Sequence, residues 1–208
     1  MAKPCAIGLR AHSGWAALVV IGGTSEQPEL VARRRIEIAD ATISGSKQPF
    51  HAAEPMDFLE GKVFLERCTA RTLGLAREAM QAAIDGLRDR GCAAKTCGII
   101  LGSGRTLPPL EAILKSHALI HTAEGEFYRH ALVSAAGECK LKVRGVKERE
   151  LHDRAAAELG VPAKLIERRI AEMGKAAGPP WTQDQKYAAL VAWMALKAYE
   201  SDRYSRSK

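Results

Sequence analysis

No aspartate or glutamate occurs before Glu26. Whatever the N-terminal segment forms, it has no carboxylate to offer a hard divalent cation, and such cations are held mainly by oxygen ligands. Aromatic residues make up 5% of the chain, too few for an extended platform on which successive bases stack. No apolar run approaches the ~18 residues of a membrane span, so no membrane contact is expected. The start, MAKPCAIGLRAHSGW, lacks the charged n-region, long apolar h-region and cleavage site of a secretory signal, which leads to an expectation of a cytoplasmic protein. The five cysteines are scattered, and Cys92 and Cys97 miss the C-x-x-C spacing of zinc knuckles and redox pairs. They are expected to be buried free thiols. Internal repeats, a Gly-x-Ser-x-Gly elbow, a Walker loop and a dinucleotide fingerprint are all missing.

What is present describes an ordinary globular chain: 208 residues, 47% apolar and 26% charged. One domain over residues 1–200 is expected, followed by a polar basic tail over 201–208 that frays. The net charge of +7 comes from 31 Lys+Arg against 24 Asp+Glu. The cations cluster at Arg33–Arg35 and at Lys140, Lys142, Arg144, Lys147 and Arg149. Two readings stay open for these clusters: a solvated basic surface, or a patch that tracks phosphates.

Short apolar runs at Ala6–Arg10 and Trp15–Ile21, parted by Ser13-Gly14, predict a hairpin, and Leu30–Ile38 predicts a third strand. Residues 41–55 are expected to be irregular. Leu65, Cys68, Thr72, Ala76, Ala79, Ala83 and Leu87 recur at helical spacing, with Gly91 as the stop. Cys97–Gly102 has the continuous apolar character of a buried parallel strand. Two helices, Leu110–His121 and Ala123–Ala136, and a strand at Cys139–Val143 follow. Helices are then expected over Glu148–Leu159, Pro162–Met173 and Thr182–Tyr199. A meander followed by alternating helices and strands implies a mixed α/β sheet with helices on both faces.

Gly8-Leu9 followed by Ser13-Gly14-Trp15 is similar to the opening hairpin of the ribonuclease-H-like nucleases, in particular the RuvC-type Holliday junction resolvases. Lys142–Lys147 resembles the family's last strand and its exit. GPPWTQDQKYAALVAWMAL resembles its proline-rich loop and terminal helix. The resemblance implies a ribonuclease-H-like sheet, a homodimer, and a centre in which about four carboxylates hold two Mg²⁺ ions. Here the first family aspartate falls at Arg10, or at Ala6 in the other alignment. The family glutamate falls at Leu101, Gly102 or Ser103. Of the closing Asp-x-x-Asp only Asp184 is present, because Tyr187 stands at the second position. An acid in the first turn after a Thr182 N-cap also favours the helix dipole by ~0.3–1 kcal/mol, and this capping role is the one taken for Asp184.

The edge therefore reads as inverted in charge, with Arg10, His12, Ser103 and Arg105 able to attract an anion and Lys142 and Arg144 adding a basic strand. Gly102–Arg105 is either such an anion loop or an ordinary glycine turn. His117 and His121 share a helix face at i and i+4, followed by Glu124 and Glu126, but no third ligand is set by spacing. No metal is expected there. The protein is expected to be a binder of nucleic acid or of a protein partner, without a cofactor. The alternative is an enzyme: a divergent nuclease that needs Mg²⁺, or another activity at the Arg10/Gly102–Arg105 edge.

Overall fold

The computed structural model describes residues 2–206. Strands β1 (Lys3–His12), β2 (Trp15–Gly23) and β3 (Pro28–Glu37) form an antiparallel meander. Strands β4 (Cys92–Leu101) and β5 (Lys142–Lys147) add in parallel beyond β1, giving the order β3-β2-β1-β4-β5. Parallel neighbours need crossover connections, and helices supply them. Helices α1 (Pro49–Ala53) and α2 (Phe58–Arg88) precede β4, while α3 (Leu110–Leu114) and α4 (His117–Glu138) precede β5. A 3-10 turn at Glu148–Glu150 leads into α5 (Leu151–Leu159), α6 (Ala163–Ala177) and α7 (Gln183–Arg206). The expected mixed sheet with helices on both faces is present.

Strand alternation divides the core. Cys5, Ile7 and Leu9 of β1 pack with Met80, Leu87, Tyr128 and Leu132 on the α2/α4 side. Ala6, Ala17 and Val19 pack with Ile166, Ile170 and α7 on the other. Each fully buried Leu or Ile contributes ~1.5–3 kcal/mol relative to exposure. The middle of helix α7 is buried all round, with Ala188 through Leu196 each at most 3% exposed. Such a helix lies between layers rather than on a surface. It rests directly on strand backbone: a Cβ on Gly8 would stand 1.8 Å from the Ala188 carbonyl oxygen, and one on Gly98 would stand 2.2 Å from that of Val191.

Several element bounds differ from the sequence expectation. The expected fraying tail is helical through Arg206, with the Ser201 and Ser205 hydroxyls bonded one turn back and Lys142 paired to Asp202. No residue there breaks the helix; Lys208 lies outside the described residues. The region expected to be irregular contains α1, opened by Pro49 in its first turn. The long helical stretch after Pro109 breaks at Lys115-Ser116, whereas Thr122 stays inside α4 with its hydroxyl bonded to the Ala118 carbonyl. Strand β5 starts only at Lys142, because Lys140 takes a left-handed φ of 63° as the chain leaves α4. Strand β4 begins at Cys92, where it pairs with Lys3. Among the described residues no helix is long and apolar enough to cross a membrane.

Candidate functional site

The C-terminal ends of β1, β4 and β5 emerge together, and the first turn of α7 meets them, at the kind of sheet edge where open α/β folds place ligands. The α7 face of β1 carries Ala6, Gly8, Arg10 and His12 in alternation. Ala6 is sealed beneath α7, so Arg10 is the residue that meets Asp184.

Arg10 is held internally. Its Nη2 lies 3.0 Å from Glu148 Oε1, its Nε lies 3.4 Å from Asp184 Oδ1, and its guanidinium stands 4.7 Å from the centre of the Tyr187 ring. His12 Nε2 approaches Asp184 Oδ1 to 2.8 Å, and the imidazole stacks on Trp15 at 4.4 Å. Asp184 is thus engaged with strand β1. The backbone N–H of Thr182 instead donates to the Gln185 side chain at 2.9 Å, one half of a capping box. An acid in the first turn still complements the helix dipole, but its main contacts are Arg10 and His12.

The end of β4 follows the same pattern. A Cβ on Gly102 would stand 2.6 Å from Glu126 Oε1 and 2.8 Å from Arg129 Nη1. Helix α4 has therefore placed an acid beside the strand end, where the sequence of the strand itself has none. Arg129 pairs with that acid at 2.9 Å. Across this edge Asp184, Glu148 and Glu126 each meet an arginine.

The expected anion-attracting edge is therefore corrected. Arg10 and His12 do come together, yet both turn toward carboxylates. Ser103 and Arg105 lie on an exposed loop, where the Ser103 hydroxyl accepts from the Arg105 backbone N–H at 3.4 Å. Arg105 makes no ion pair among the described residues and remains available. Lys142 and Arg144 are elsewhere. Lys142 is level with Thr96 and Arg144 with Gly98, toward the far end of the sheet. Lys142 pairs with Asp202, and Arg144 pairs with Glu158 at 3.2 Å and bonds the Met194 carbonyl.

The arginine run on β3 is also taken up. Arg33 donates to the carbonyls of Ala177, Gly178, Pro179 and Pro180 and so closes the C-terminus of α6. Arg35 pairs with Glu37 at 2.6 Å and covers Trp15 at 3.9 Å.

Behind the β1–β2 turn, a cleft of about 210 Å³ is bounded by His12, Gln48, His51, His121, Glu124 and Arg129. The pair His117 and His121 is joined here by His51 of α1, and one ring nitrogen from each lies within 4.8 Å of the others. Glu124 stands behind them at 4% exposure. Burial pushes its carboxyl above the usual range, opposed by the N–H groups of His51 and Phe50. Two positions that the fold brings to these clusters escaped the sequence reading. Glu148 had looked like the start of a helix, and His51 sat in a segment expected to be irregular.

Five strands in this order, with α7 across β1 and β4, define a ribonuclease-H-like fold of the RuvC type. The chain is similar to T. thermophilus RuvC in complex with a Holliday junction substrate, with a TM-score of 0.55, 9% identity and 95% of each chain covered. It is similar also to a Thermus thermophilus RuvC structure, with a TM-score of 0.54, 8% identity, and coverage of 95% of this chain and 96% of the other. No family model matches the chain, and no curated protein matches its sequence.

Proposed function

We propose that the chain is a RuvC-like protein that binds nucleic acid and does not hydrolyse it at the edge around Asp184. The observation that supports this is Arg10, fixed between Asp184 and Glu148. A two-metal phosphodiesterase requires carboxylates left open to two Mg²⁺ ions roughly 4 Å apart. Here a guanidinium holds that position. A divalent ion within ~4 Å of it would meet repulsion of several kcal/mol at an effective dielectric of ~20. The donor set does not fit a Mg²⁺ pair.

Support for binding comes from the net charge of +7, from the exposed Arg105 loop at the strand ends, and from a structural neighbour solved on a DNA junction. Phosphate contacts release counterions, so affinity must fall steeply with salt. Fluorescence anisotropy on four-way junction, duplex DNA and RNA across about 50–200 mM salt measures that slope, with cleavage followed in Mg²⁺ and Mn²⁺. We expect binding without cutting, and Arg105→Ala should reduce the salt slope by about one. Absence of binding at low salt removes the nucleic-acid reading. Cutting that Asp184→Asn abolishes establishes a divergent nuclease instead.

A further inference from the structure

His117 and His121 lie one helical turn apart on α4, so both rings leave the same face, and their Nε2 atoms are 3.0 Å apart. His51 reaches them from α1. The three rings meet edge to face, with centroids 4.5–5.4 Å apart. Around a tetrahedral zinc ion with Zn–N of ~2.0–2.1 Å, ligand nitrogens stand ~3.3 Å from one another. The present spacing, none beyond 4.8 Å, closes to that value with small ring rotations.

A second observation points the same way. Glu124 Oε1 accepts from the backbone N–H groups of Phe50 at 2.6 Å and His51 at 3.2 Å, and lies 3.4 Å from His51 Nδ1. The same carboxylate caps α1 and orients the imidazole. With Nδ1 turned to Glu124, Nε2 is the nitrogen left to bind. A carboxylate behind a ligating histidine fixes its tautomer and raises its basicity. The other oxygen, Glu124 Oε2, is buried and has no hydrogen-bond partner. An unspent carboxylate oxygen inside a protein is costly unless a positive charge stands close by.

We propose that His51, His117 and His121 bind one divalent cation of the zinc class, backed by Glu124, with a fourth position open to the cleft that His12 and Arg129 border. Neutral imidazoles select borderline cations such as Zn²⁺ and Co²⁺ over Mg²⁺ and Ca²⁺. Three histidines with an open position form the donor set of a reactive zinc site rather than a closed structural one. The site owes nothing to the carboxylates at the Asp184 edge, and it stands or falls separately from nucleic-acid binding.

The test uses the full chain, stripped with a chelator and titrated with Zn²⁺ against a chromophoric competitor and with Co²⁺ by visible absorption. One equivalent should bind, and cobalt should show d–d bands without a thiolate charge-transfer band. His51→Ala and His117→Gln should each reduce binding to background. Glu124→Gln should weaken it about 10–100-fold. His117 is exposed, so an unchanged circular dichroism spectrum and melting temperature in His117→Gln would tie the loss to ligation. Substoichiometric binding to the wild type overturns the proposal. So does one-equivalent binding that survives in both histidine variants.

Discussion

The Asp184 edge and the His51 cluster are neighbours, since His12 touches Asp184 and also borders the cleft of His51 and His121. They treat charge in opposite ways. At the edge, carboxylates that are suited to hard cations have been met by side-chain cations, Arg10 for Asp184 and Glu148, and Arg129 for Glu126. At the cluster, imidazoles that bond one another and Glu124 Oε1 converge in front of that buried carboxylate, whose Oε2 has no partner. Whether a site calls for a cation depends on which donors are already spent, not on where the fold usually keeps one. An edge of internal ion pairs holds its elements together; the imidazole cluster beside an unpartnered carboxylate oxygen is where we propose a cation.

The largest expected effect comes from breaking the edge at its foundation. Helix α7 reaches Arg10 only because Gly8 and Gly98 let it lie on strand backbone. In Gly8→Ala the new methyl meets the Ala188 carbonyl, which cannot swing aside as a side chain could. Overpacking of this kind costs about 3 kcal/mol or more, which lowers Tm by roughly 6–12 °C for a chain of this size. Calorimetry measures it. The histidine cluster, on the opposite face of the sheet, should keep its cobalt spectrum below that lowered Tm. A melting temperature equal to wild type would show that the close approach of α7 does not set the edge.

A smaller effect tests the comparison directly. Arg10→Asp turns three carboxylates on one another and should cost about 1–2 kcal/mol without divalent ions. Mg²⁺ should restore much of that loss in the variant and leave the wild-type Tm unmoved. If Mg²⁺ raises both melting temperatures equally, Arg10 does not fill the cation position.

Much of this was legible in the sequence. Gly8, Ser13-Gly14-Trp15 and the alanine-rich run before Leu196 marked a hairpin and a terminal helix, because periodicity and turn chemistry are local signals. The missing acids at the ends of β1 and β4 were equally plain. Pairings between distant elements were not. Glu148 as partner of Arg10, Arg129 as partner of Glu126, and the Arg33 contacts with the end of α6 depend on which strand lies beside which helix. The third histidine was hidden for the same reason. His51 lies in a five-residue helix, too short to show a period, and only the packing of α1 on α4 brings it to His117. The charge-inverted edge was the natural inference from a list of cations, and it failed because Arg10, the cation at its centre, is paired with Asp184 and Glu148.

The smallest effect separates the histidine cluster from the thiols, whose thiolates also bind zinc-class cations. Burial pushes Cys5 and Cys97 up to about 12, so at pH 8 they are almost wholly protonated and enclosed. Cys139 is the one cysteine not fully buried. It follows the C-terminus of α4, whereas His117 opens that helix; at 1.5 Å per residue the two ends are ~33 Å apart. Iodoacetamide on the native protein should therefore modify Cys139 first, with Cys5 and Cys97 labelled only after unfolding, as peptide mass mapping would show. Thiolate is the reacting form, which is why both burial and protonation slow the others. Protein alkylated at Cys139 should bind Co²⁺ with the same stoichiometry and spectrum as untreated protein. Loss of the cobalt bands on alkylation would move the metal from imidazole to thiolate and remove the contrast between the two regions.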